Sequence, residues 1–129
     1  MGTEEFFYVV GTRKGFDEAV VSVLRSVEKK GWTVFQIYDI KERLAAKGFE
    51  VGRTKIVEIC SAKYASRFIG KNELSSLCLP CKINVIEKNG KVMIACVLPR
   101  MMAAMFPGIA REETEDAEAE VKEIVDGAR

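Results

Sequence analysis

The dipeptide Asn89-Gly90 restricts the fold of this chain more than any other feature. Both residues tolerate positive φ, and they separate two alternating runs, Lys82 to Lys88 and Lys91 to Leu98, so a two-residue hairpin turn is predicted. That turn sets the register: Lys88 faces Lys91, Ile83 faces Cys96 and Cys81 faces Leu98. Because side chains alternate, Cys81, Ile83 and Val85 share an apolar face with Ile94, Cys96 and Leu98. Cys81 and Cys96 then become diagonal neighbours across the two strands, about 7–8 Å between backbones. This is near the limit for a disulfide and within reach of a shared metal. The opposite face carries Lys82, Asn84 and Lys91, but also Ile86, Met93, Ala95 and Val97, which is too apolar for a freely solvated surface. A homodimer interface is expected there.

The other elements follow from local signals. Glu4 to Val10, with its aromatic and β-branched residues, predicts a strand. Phe16, Ala19, Val20, Val23, Leu24 and Val27 recur at helical spacing, with Asp17 and Glu18 in the first turn, Lys29 and Lys30 in the last, and Gly31 as the stop. Trp32 to Tyr38 predicts a second strand. Asp39 and Glu42 have capping-box spacing before a short helix ending at Gly48. Thr54 to Ile59 predicts a third strand, and Ser61 a cap for a helix through Tyr64, Ala65, Phe68 and Ile69. Pro99 and Pro107 bracket a short helix bearing Met101, Met102 and Met105. The methionines supply thioethers or a docking surface in one reading, and cap the open end of the core in the other. Thr114 to Val125 predicts an acid-rich final helix, thin in apolar residues and expected to dock loosely or fray. One α+β layer architecture results: an antiparallel-rich sheet with helices on one face, as a single domain over residues 1–110 followed by an acidic helix or tail over 111–129.

Length and charge narrow the classes. At 129 residues, 48% hydrophobic and 30% charged, the chain can bury a core without covalent staples. No apolar run approaches the ~20 residues that cross a bilayer, so no membrane partner is expected. The start Met-Gly-Thr-Glu-Glu fits neither a secretory signal nor a myristoylation pattern, and a cytoplasmic location is expected. One Gln and three Asn point toward a thermophilic source. Residues 112–126 hold eight acids and one base, so the remaining chain carries +8 to reach the net +1. Its Lys and Arg lie singly or in pairs, without interleaved aromatics. A solvated surface partly neutralised by the acidic segment is therefore expected in preference to nucleic-acid binding.

In order, these pieces resemble the domain-of-unknown-function family 302. The matching stretches are the first strand, the helix ending Lys-Gly-Trp-Thr-Val-Phe, the turn Tyr-Asp-Ile, the Ile59 to Ala65 junction, and Leu79-Pro-Cys-Lys-Ile-Asn-Val-Ile-Glu before Asn89-Gly-Lys and Pro99. The resemblance implies a strand-helix-four strands-helix fold, like half of the TATA-binding protein, often dimeric and with no assigned activity. Architecture of this kind does not bring DNA binding with it. Where the common bacterial form has Gly-Asn-Pro after the third strand, this chain has Cys60-Ser-Ala, and it has Cys81 after Leu-Pro. It thus resembles a cysteine-bearing, mainly archaeal branch in which Cys60 and Cys81 go together.

Chemistry, if present, must come from sulfur, carboxylate, amine or hydroxyl groups, because the chain has no histidine. Cys78-Leu-Pro-Cys81 resembles a thioredoxin motif, but it opens a strand and not the helix whose dipole would activate its first thiol. Cys60, Cys78 and Cys81, with Cys96 as a fourth, offer thiolates for zinc or another soft metal. In the favoured reading Cys60 and Cys81 meet at the strand ends, where the helix after Ser61, with Lys63 and Lys82, lowers a thiol pKa. The function expected is then redox, sulfur transfer or soft-metal binding, Cu(I) with methionine help included. The plain alternative makes all four cysteines small buried hydrophobes in a non-enzymatic, dimeric ligand-binding or interaction module. Glu58 is expected on the solvated face. No substrate, ligand or reaction is named by the sequence.

Overall fold

A computed structural model of the protein describes residues 3–129. Met1 and Gly2, on which the lipid-attachment reading rests, lie outside the described residues. The elements are β1 (Phe7–Thr12), α1 (Phe16–Lys29), β2 (Thr33–Asp39), α2 (Ile40–Ala45), β3 (Thr54–Cys60), α3 (Ala62–Lys71), β4 (Cys81–Lys88), β5 (Lys91–Val97), α4 (Arg100–Met105) and α5 (Glu115–Ala128). Three 3-10 turns interleave at Thr3–Phe6, Glu73–Cys78 and Arg111–Thr114.

All five strands pair antiparallel in the order β1-β5-β4-β3-β2. The hairpin forms in the predicted register, Lys88 opposite Lys91 and Ile83 opposite Cys96, with Asn89 at φ 54° and Gly90 at φ 76°. Its inward residues Ile83, Val85 and Ile94 are fully buried. β1 starts later than its aromatic run suggests, at Phe7 opposite Val97, because the chain before it winds as a 3-10 turn. Its N-terminal limit is set by the end of β5, where the Leu98 amide donates to the Phe6 carbonyl at 2.7 Å.

Helix α1 begins without a side-chain cap but has Asp17 and Glu18 in its first turn, and it stops at Gly31 with φ 82°. The predicted cap on α2 is present, the Glu42 amide donating to Asp39 Oδ1 at 3.0 Å. Ser61 occupies the N-cap position of α3, yet its hydroxyl makes no capping hydrogen bond. α1 and α5 pack against each other on the buried side of the sheet, which brings Ala19, Val23 and Val27 against Val121, Ile124 and Val125 in one core.

Helix α5 departs most from expectation. Ala117, Val121, Ile124, Val125 and Ala128 are each at most 1% exposed. The helix is acidic on one side only, and a stripe of small and β-branched residues suffices because α1 presents an equally narrow surface. Gly127 marks the closeness: a Cβ there would stand 2.9 Å from Ser26 Oγ, which itself donates to the Ile124 carbonyl at 2.6 Å.

On the other face Phe7, Val9 and Val97 remain about half exposed, beside Ile56, Ile86, Met93 and Ala95. Glu58 lies there too, as expected, accepting from the Tyr38 hydroxyl at 2.9 Å. Among the described residues no helix is long and apolar enough to cross a membrane.

Candidate functional site: sulfur at the end of the sheet

Cys81 opens β4 opposite Ile59, on the helix-covered face. Cys60 closes β3 one residue beyond Ile59, so alternation sends it to the other side, with Glu58. The two still line one crevice, because β3 ends at Cys60 and the chain turns into α3. Trp32, Tyr64, Phe68 and Pro99 complete that crevice, whose free volume is about 10 Å³. That is room for roughly one water molecule at most.

A second cleft, of about 250 Å³, opens on the other side of Cys81. Cys78, Cys81, Met101 and Met102 line it, with Lys82 and Val97 at its mouth. The Glu73–Cys78 turn delivers Cys78, and the Leu79–Pro80 peptide, which is cis, leads into β4. α4 delivers the thioethers, Met102 buried and Met101 half-buried. Cys81 therefore belongs to both cavities. Met105, the third methionine of the group, points elsewhere and is exposed.

All four cysteines are free thiols. Among the described residues, no three Cys, Asp or Glu side chains gather as a set able to hold a metal ion, so the Cys60, Cys78 and Cys81 triad has no such convergence. The activation expected from α3 also fails. Burial pushes the Cys60 thiol above its ordinary value and pushes Cys81 up to about 11, with neighbouring Cys60 and Cys78 raising Cys81 further and Lys82 lowering it. Cys96, inside the core, is pushed up to about 12, again by burial first. The start of α3 is walled by aromatic rings, and Lys63 sits over the Tyr64 ring at 4.9 Å instead of reaching a thiol. Low polarity outweighs the helix dipole here.

Sequence reasoning passed over Glu120. It accepts from Trp32 Nε1 at 3.0 Å and from the Tyr64 hydroxyl, fixing two walls of the crevice. Burial pushes the Glu120 carboxyl up, but these bonds and nearby Lys30 and Lys63 outweigh it and hold the group below its ordinary value. Tyr64 is pushed up by burial and by Glu120. Within an acid-rich run, nothing local distinguishes Glu120 from its neighbours.

A five-stranded antiparallel sheet with helices packed on one face is the fold of a known family of domains, and the chain belongs to it. The family is a domain of unknown function, DUF302, whose profile matches residues 8–128. The chain is similar to an uncharacterized conserved DUF302 protein from Bacillus stearothermophilus whose crystal structure superimposes with a TM-score of 0.88. The two are 28% identical, over 96% of this chain and 98% of that one. No curated protein matches.

Proposed function

We propose that the protein binds a soft, thiophilic metal ion of the Cu(I) class in the cleft between Cys78, Cys81, Met101 and Met102. The observation that carries this reading is that two thiols and two thioethers line one 250 Å³ cleft. Soft sulfur ligands select Cu(I), which accepts two or three of them, so no four-thiolate cage is needed. The high Cys81 pKa argues against a nucleophile poised for thiol exchange or sulfur transfer at neutral pH. It does not argue against a metal thiolate, since the ion displaces the proton and is released as pH falls.

Anaerobic titration of the reduced protein with Cu(I) against a chromophoric chelator tests the proposal. One ion per chain is expected, weakened at least about tenfold by Cys78→Ser or Cys81→Ser, the loss of one soft ligand. Met101→Leu should weaken it less, and Cys60→Ser least. Equal affinity in wild type and Cys78→Ser/Cys81→Ser would refute it.

The half-exposed Phe7, Val9 and Val97 support a second, compatible reading, a homodimer through the uncovered sheet face. Glu58 and Lys82 lie opposite each other in that face and supply self-complementary charge for a two-fold contact. Lys82 and Val97 line both this face and the mouth of the sulfur cleft, so a second copy would close over the mouth. Sedimentation of Val9→Lys should then show a monomer, whereas Cys60→Ala/Cys81→Ala stays dimeric.

A further inference from the structure

At the opposite end of the sheet the distribution of positive charge is uneven. A cleft of about 860 Å³ runs between the end of β1 and the Asn89-Gly90 turn, lined by Arg13, Lys14, Lys91 and Arg129 and by no Asp or Glu side chain. A neighbouring cleft of about 550 Å³ between α1 and α5 adds Arg25, Lys29 and Lys30 against one acid, Glu123. Lys14 lines both.

Of the α5 carboxylates only Glu123 lines either cleft, where it pairs with Lys30, and most of the others have partners outside both. Glu118 pairs with Arg100, Asp116 with Arg67, and Glu123 with Lys30, while Glu120 and Asp126 accept from Trp32 and Tyr64, and from Tyr8. Among the described residues, none of Arg13, Lys14, Lys91 and Arg129 pairs with a carboxylate. Lys14 is also positioned: its ammonium donates to Ser22 Oγ at 2.8 Å and to the Ala128 carbonyl at 3.0 Å. Both partners are neutral, so its full charge and a third N–H stay available to a ligand. Gly11 and Gly90 keep the cleft wall free of side chains, and a Cβ on Gly11 would meet only open space.

From this placement we infer a binding site for a small polyphosphate anion in the cleft around Lys14. A concave surface lined by one sign of charge concentrates counter-ions, and several ammonium and guanidinium donors suit a ligand with phosphates in series. Neither cleft is lined by an aromatic side chain, so there is no platform on which a nucleobase could stack. The ligand recognised is therefore the phosphate chain itself.

Calorimetric titration with inorganic tripolyphosphate at ~50 mM and ~300 mM salt tests the site, where each phosphate contact adds to the salt slope. Saturable binding that weakens with salt is expected, with Lys14→Gln and Lys91→Gln each about tenfold weaker, the loss of one charge-assisted hydrogen bond. Lys91 makes no described side-chain hydrogen bond, so its variant reads the site without disturbing the fold. Lys47→Gln removes a charge that lines neither cleft and should leave binding unchanged. Absence of saturable binding at low salt, or equal weakening by Lys47→Gln and Lys91→Gln, would overturn the inference. So would a 12-nucleotide single strand that binds more tightly than tripolyphosphate.

Discussion

Glu118→Ala offers the sharpest test of how α4 and α5 hold the sulfur cleft together. Arg100 opens α4, and its guanidinium grips Glu118 of α5 with two hydrogen bonds, Nε to Oε1 at 2.8 Å and a terminal nitrogen to Oε2 at 2.7 Å. The Arg100 amide adds a longer bond of 3.3 Å to the same carboxylate. Only 20% of the Arg100 side chain and 14% of the Glu118 side chain is exposed, so truncation leaves a guanidinium unpaired and little hydrated. Hydrogen bonds to charged groups contribute about 1.5–3 kcal/mol each, and residual solvent screening reduces the pair to about 2–3 kcal/mol in total. Urea melts should place the variant's midpoint about 1 M below wild type, for a slope of about 2 kcal/mol per M. The pH dependence checks the cause. Hydrogen bonding from Arg100 holds the Glu118 carboxyl below its ordinary range, against a smaller upward push from burial. A carboxyl depressed in the folded state stabilises above its unfolded pKa of about 4.3 and loses that contribution as pH falls through the folded value. The gap between wild type and variant should thus be flat from pH 7 to about 5 and narrow below about 4. A gap under 0.5 kcal/mol at pH 7 (about the scatter of ordinary surface substitutions), or one that does not narrow in acid, would refute the reasoning. Because α4 carries Met101 and Met102, Cu(I) affinity should fall in the same variant.

Two further predictions test the environment of Cys81 and the standing of α5. With Cys60, Cys78 and Cys96 replaced by Ser, alkylation of Cys81 at pH 8 should run about a hundredfold slower than for a free thiol of pKa 9.0, following the thiolate fraction at a pKa of about 11. The rate should climb with pH towards 11, and mass spectrometry would expose the failure as modification at the free-thiol rate. Ile124→Ala, at a side chain 1% exposed, should cost about 2–4 kcal/mol in a single cooperative urea transition, whereas a helix that merely decorates the fold would cost under 1 kcal/mol.

Elements governed by near neighbours were legible in the residues. The Asn89-Gly90 turn needs only its own φ angles and two alternating flanks, so hairpin register, inward face and the burial of Cys96 could all be read. The α1 stripe, the Asp39 cap and the Gly31 stop are equally local. The acid-rich C-terminal helix misled because charge density was taken as weak docking, when only the stripe from Ala117 to Ala128 matters to α1. At the sulfur site, the reading expected a lowered thiol pKa, and burial instead raises those of Cys60 and Cys81. Helix dipoles are visible in a sequence; the rings of Trp32 and Tyr64 closing over Cys60 are not.

By itself the order of residues determined the strands, the turn, the inward faces and the absence of imidazole chemistry, since each depends on spacings of a few residues. Only the tertiary structure decided that Cys81 stands between two cavities, that Met101 and Met102 join Cys78 in one of them, and that Lys14 keeps its charge unpaired. Those outcomes come from segments far apart along the chain. Their meeting depends on β5 inserting between β1 and β4 and on α5 directing its carboxylates to particular partners, which no local pattern encodes.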